Sequence, residues 1–143
     1  MNAELTILLV EDNPGDVALT RAALKQSSLQ CHICVARDGS QALDFLHGKR
    51  AGEERLAPDL ILLDINMPRM DGKQLLSVLK TDKALKTIPV VMFTSSDSPA
   101  DITDCFERHA SSYIVKPFDG RKYGDAVRQI VSFWGDLSER PGK

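Results

Sequence analysis

The sequence predicts an α/β domain built on a parallel sheet with helices on both faces. Three observations carry this. Five short apolar strand-like runs alternate with stretches of helical apolar spacing, the middle runs are apolar at every position, and every interval between runs has room for a crossover helix. Alternating strand and helix makes βαβ units, whose crossover brings successive strands in parallel and lays helices on the sheet. At 143 residues the chain suits one domain, large enough to bury about two-thirds of its unfolded surface without a metal or disulfide.

The first run, Leu5 to Val10, is followed by an irregular helical stretch from Asp16 to about Lys25. The second, Ile33 to Ala36 extended back through Cys31, puts Cys31, Ile33 and Val35 on one side and His32 and Cys34 on the other, the alternation of an edge strand. Ala42, Phe45 and Leu46 stand at i, i+3, i+4 and make the second helix, and His47 to Pro58 reads as a charged loop. Leu60 to Leu63 is wholly apolar, as a central parallel strand must be. Leu75, Val78 and Leu79 mark the third helix and Val90 to Phe93 the fourth strand. Ser98-Pro99-Ala100-Asp101 has the form of a helix start, with a serine cap and proline at the first helical position, ahead of Ile102, Phe106 and His109. Tyr113 to Val115 is the fifth strand, and Tyr123, Val127, Ile130, Val131 and Trp134 form the stripe of a last helix. The core is expected over about 5–134, with a polar tail at 135–143, so that 1–143 form a single domain.

With 18 basic and 20 acidic side chains the formal net charge is −2, which argues against nucleic acid or anionic lipid as partner. No run approaches membrane-spanning length and the N-terminus lacks the pattern of a secretion signal, so a cytoplasmic protein is expected. Cys31-His32-Ile33-Cys34 has C-x-x-C spacing. On a strand, though, i and i+3 point to opposite faces, roughly 10 Å apart, beyond the reach of a disulfide. His47, Cys105 and His109 make no second pair of zinc ligands, and the cysteines are expected to be free.

The polar residues at the strand ends carry the chemistry. Parallel strands aim their C-terminal ends at one rim, where ligands bind in open α/β sheets. Glu11 and Asp12 follow the first strand, Asp64 the third, Thr94 the fourth and Lys116 the fifth. Carboxylates crowded together repel and need a compensating cation. Mg²⁺, which takes one or two carboxylates together with waters and phosphate oxygens, suits the set. Lys116 offers a point charge and Thr94 a hydroxyl to phosphoryl oxygens, which points to phosphoryl transfer with a carboxylate nucleophile. Asp64, fixed at a central strand tip, is the better candidate, leaving Glu11 and Asp12 for the metal.

Val10-Glu11-Asp12-Asn13, Leu63-Asp64-Ile65-Asn66-Met67-Pro68 with Met70-Asp71-Gly72, Phe93-Thr94-Ser95, and Tyr113-Ile114-Val115-Lys116-Pro117-Phe118 together resemble the four signature elements of the response-regulator receiver family of two-component signalling, over about Leu5 to Trp134. The resemblance implies a flavodoxin-like doubly wound fold with strand order 2-1-3-4-5, an order the receiver family exemplifies. It implies phosphoryl uptake on Asp64 from a histidine kinase, and Mg²⁺ or Mn²⁺ held by Glu11, Asp12, Asp64 and the backbone carbonyl of Asn66. Thr94 and Lys116 would bind phosphoryl oxygens, Thr94 and Tyr113 would form the switch, and the Lys116-Pro117 bond would be cis. Ser95 keeps the residue after Thr94 small, and Ser96 would influence water access. Val10 to Asp16, the loop before the third strand and the Phe133-Trp134 ending resemble stand-alone receivers paired with phytochrome-type light-sensing kinases. Output is expected through the face of helix four, strand five and helix five, by partner binding, homodimerisation or onward phosphotransfer, since no residues remain for an output domain. The protein is expected to be a phosphoacceptor with weak self-catalysed transfer and dephosphorylation, not an enzyme in the ordinary sense.

Plainer alternatives exist for several residues. Asp71 caps the third helix with Gly72, Asp16 caps the first, and Asp97, Asp101 and Asp104 form a solvated helix start and face. Tyr113 could be core packing. A phosphohydrolase working through an aspartyl-phosphate would want an acid where Asn66 stands, and a flavin binder would be repelled by Glu11-Asp12. A receiver-like docking module that works without phosphorylation is the remaining alternative.

Overall fold

The computed structural model describes residues 4–48 and 56–137. Most of the expected charged loop at 47–58 and of the expected tail at 135–143 lies outside them. The element order is β1 (Leu5–Val10), α1 (Pro14–Lys25), β2 (Cys31–Ala36), α2 (Gly39–His47), β3 (Leu60–Leu63), α3 (Gly72–Thr81), β4 (Val90–Thr94), α4 (Pro99–Glu107), β5 (Ser112–Val115) and α5 (Gly120–Ser132), with a π-helical turn at Phe133–Leu137. The strands form one sheet in the order β2-β1-β3-β4-β5, every pair parallel. This is the doubly wound flavodoxin-like fold, with β2 at an edge.

Alternation along the strands divides the core into two layers. Leu5, Ile7 and Leu9 of β1, Leu60 and Leu62 of β3, and Val91 and Phe93 of β4 pack with α1 and α5. Leu8, Val10, Ile61, Leu63, Val90 and Met92 point the other way, to α2 and α3. Because β1 and β3 are covered on both faces, none of their last residues can face water, and the chain turns polar only where they end. Cys31 packs with the first layer and Cys34 with the second, and none of the three cysteines is in a disulfide.

Helix starts are set by capping side chains. Asn13, Asp38, Asp71, Ser98 and Asp119 each accept a backbone N–H of the first turn. At Asp71 the cap is reciprocal, Gln74 reaching back to the Asp71 N–H. The structure corrects the expectation for α1. It begins at Pro14 with Asn13 as cap, because proline at the first turn presets the helical φ, and Asp16 is left inside the first turn. Among the described residues no helix is long and apolar enough to cross a membrane.

Candidate phosphoryl-transfer site

The parallel topology brings the strand ends together. In register, Val10 of β1 lies beside Ala36 and Leu63, and Thr94 of β4 beside Val115 of β5. The next residues along are Glu11, Asp64 and Lys116. Backbone bonds continue past the strands: Glu11 N–H donates to Ala36 C=O at 2.9 Å, Asp64 N–H to Val10 C=O at 3.1 Å, and Lys116 N–H to Thr94 C=O at 2.7 Å. The functional side chains are therefore mounted on the sheet and not on free loops.

Lys116 sits at the centre, buried. Its ammonium donates to Glu11, to Asp16 Oδ2 at 2.8 Å and to Asp64 Oδ2 at 3.2 Å. Burial alone would lower its pKa, but the hydrogen bonds to Asp16 and Glu11 and the charge of Asp64 outweigh it and hold the group above the ordinary lysine range. Glu11 is pushed up to about 7, mainly by burial, with Asp64 adding to the rise and Lys116 opposing it. Its second oxygen accepts the Asn13 N–H at 3.1 Å, and Asp64 Oδ1 accepts the Ile65 N–H at 2.8 Å.

Glu11, Asp12 and Asp64 offer carboxylate oxygens all within 4.8 Å of one another. Such a donor set of hard oxygens fits one divalent cation of the magnesium type, which leaves coordination positions for water or phosphate. Thr94 is buried, and its Oγ1 accepts the Ser96 N–H at 3.4 Å. Tyr113 is half-buried and its hydroxyl donates to the Ser96 carbonyl at 2.9 Å, which gives it a partner beyond mere packing.

A family model for the response regulator receiver domain matches residues 7–128. The chain belongs to this family. The response regulator Rcp1 of Synechocystis sp. is 37% identical over 133 residues, 93% of this chain and 90% of that protein. The crystal structure of the phosphorylated cyanobacterial phytochrome response regulator RcpA aligns with a TM-score of 0.90 at 37% identity, covering 98% of this chain and 100% of that one. The Mn²⁺-bound form of Rcp1 aligns equally well, at 0.90 and 36% identity, over 96% and 99% of the two chains.

Within this receiver, some expectations from sequence need correction. The Lys116-Pro117 bond is trans, since no peptide bond among the described residues is cis. A prolyl bond prefers trans by only about 0.5–1 kcal/mol, so residue identity does not settle the isomer. Asp16 is a direct partner of Lys116 and not a cap. It is steadied from below by Tyr123, whose hydroxyl lies 3.2 Å from Thr20 Oγ1 and donates to the Asp16 carbonyl at 3.3 Å. The signal for Asp16 was its place in the first turn of a helix that starts at the functional rim. Asp101 and Asp104 are not merely solvated. Lys73 on α3 pairs with both, Asp104 also binds Arg108, and Asp101 accepts the Ser96 hydroxyl at 2.5 Å.

Gly72 has a role that its reading as a cap partner missed. Its N–H donates to Ile65 C=O at 2.8 Å, and a Cβ there would stand 2.0 Å from the Asp64 carbonyl oxygen. Only glycine lets α3 start against the backbone of Asp64.

Proposed function

We propose that this chain is a single-receiver response regulator that takes a phosphoryl group on Asp64 from a phosphohistidine donor. A carboxylate oxygen of Asp64 attacks phosphorus, the phosphorus–nitrogen bond to the donor imidazole breaks, and the imidazole keeps the electron pair and takes up a proton. Lys116, already within reach of Asp64 Oδ2, would present its charge to a phosphoryl oxygen, and the Thr94 hydroxyl would donate to another. Glu11, Asp12, Asp64 and the backbone carbonyl of Asn66 would hold Mg²⁺ or Mn²⁺, which when bound neutralises charge building on the phosphoryl group. The three carboxylate donors Glu11, Asp12 and Asp64, two of them also paired with the buried Lys116, carry this reading.

The acyl phosphate's charge of about −1.5 to −2, in place of the carboxylate's single one, would draw Thr94 toward it and shift Ser96 and Tyr113 with it. The readout surface is the face of α4, β5 and α5, where Phe106 and Val115 are exposed, available to a second copy, to a downstream phosphotransfer protein or to another partner. The likeness to the phytochrome response regulator RcpA supports a phytochrome-type histidine kinase as donor. Self-catalysed phosphorylation and hydrolysis belong to the same site.

Incubation with acetyl phosphate, with and without Mg²⁺, followed by intact mass measurement tests the proposal. The chain should gain one phosphoryl group only with metal, and Asp64→Asn should gain none. Unchanged mass of the wild type with metal would favour a docking module that works without phosphorylation. Multiple-turnover release of phosphate from simple esters would mean a hydrolase.

A further inference from the structure

The loop joining β3 to α3 carries a contact that the phosphoryl chemistry does not use. Asp38, the cap of α2, is 1% exposed and spends both carboxylate oxygens. Oδ1 accepts the Gln41 N–H at 2.8 Å, and Oδ2 accepts Arg69 through Nε at 2.8 Å and through Nη2. Arg69 reaches in from the loop with φ 62°, a left-handed conformation that non-glycine residues rarely hold without support. Next to it, the Gly39 N–H donates to Met70 C=O at 3.0 Å, and a Cβ on Gly39 would come 2.6 Å from Met70 Cγ.

The loop is thus tied twice. Its ends are held where Gly72 meets Asp64 and Ile65, and its far side is held on the start of α2. The short piece from Ile65 to Pro68 is left between, directly after Asp64. A backbone carbonyl can complete a cation's shell only if the loop around it holds still, and groups behind a ligand usually set its aim.

We propose that Asp38 and Arg69 are positioning residues for the divalent cation, their ion pair fixing the β3–α3 loop so that the Asn66 carbonyl stands ready beside Glu11, Asp12 and Asp64. This rests on the reading of those carboxylates as a metal site. Charge alone predicts something different. Removing the Arg69 cation should tighten metal binding by simple Coulomb attraction, and removing the Asp38 anion should weaken it. A clamp predicts that either loss weakens binding, and that losing both is little worse than losing one.

Mn²⁺ titration of the whole chain, read by the electron paramagnetic resonance signal of the free ion, separates these. Arg69→Gln keeps the same backbone strain and sits on an exposed side chain, and Asp38→Asn keeps a residue able to cap α2. Each variant should bind Mn²⁺ about tenfold more weakly, the double variant about equally weakly, and Arg69→Lys should recover part of the loss. Melting in chelator confirms that each is folded. Binding by Arg69→Gln as tight as wild type or tighter overturns the clamp. If wild type itself takes up no Mn²⁺, the metal site is wrong and the clamp falls with it.

Discussion

The two sides of the site are held by different kinds of contact. Around Lys116 the contacts are ionic and largely out of water: one ammonium serves Glu11, Asp16 and Asp64, with Glu11 and Lys116 both buried. Around Thr94 and Tyr113 they are single hydrogen bonds through Ser96, at 3.4 and 2.9 Å, followed by half-exposed pairs from Asp101 to Lys73. Chemistry at phosphorus needs charges that do not reorganise, whereas a readout needs alternatives that differ by little, so that a new charge can choose between them. The molecule puts strong contacts on the first side and weak ones on the second.

Removing the central cation should break the strong side most. Lys116→Met leaves clustered acids without their partner, with an expected loss of roughly 3 kcal/mol in chelator, and Mg²⁺ should restore a larger part of the melting temperature than it adds to wild type. Equal response of variant and wild type to Mg²⁺ would mean that lysine and metal do not share those acids. Gly72→Ala forces α3 away from the Asp64 backbone. A loss of about 1–3 kcal/mol should appear in denaturant melts, together with slower uptake from acetyl phosphate. A variant as stable and as fast as wild type would show that the close approach does not matter.

Glu11 rises to about 7 from the usual 4.5 through burial, so between these values the folded, metal-free protein holds a proton that the unfolded chain has lost. Its contribution to stability is therefore full below the lower value and declines as pH rises through the upper one. Metal binding has the opposite slope, because the cation must displace that proton. Apparent Mg²⁺ affinity should fall by about tenfold per pH unit below pH 7 and level off above it, as isothermal titration in two buffers of different ionisation heat would reveal. A flat profile from pH 5.5 to 8 would mean either that Glu11 stands outside the metal's shell or that burial does not raise its pKa. The smallest effect is expected at Tyr113, the proposed readout residue. Tyr113→Phe loses one hydrogen bond, about 1 kcal/mol or less, and should leave acetyl-phosphate uptake unaltered while changing hydrogen exchange in the β4–α4 segment after phosphorylation. Slowed uptake would tie Tyr113 to the chemistry.

Most of the architecture and the carboxylate set could be read from residue order. Strand runs such as Leu60 to Leu63 and Val90 to Phe93 are apolar because both faces are covered, and any polar residue that follows such a run must lie on the one rim that parallel strands share. Glu11, Asp64, Thr94 and Lys116 were found by that rule alone. Asp16, Asp38 and Arg69 were not, since each acts through a partner 31 to 100 residues away, and spacing along the chain carries no mark of such pairs. Asp101 and Asp104 have the usual look of a helix surface, and only the neighbouring position of Lys73 on α3 turns them into a link.

Layering, strand direction and the acids that reach the rim follow from residue order, because periodicity and burial act locally and repeat. Tertiary structure alone decided the trans Lys116-Pro117 bond, the claim of Asp16 on the lysine, the need for glycine at 72 and the tie between α2 and the loop after β3. Those depend on distances between segments that meet only once the sheet is assembled, where a few tenths of an ångström or about one kcal/mol separates one outcome from another.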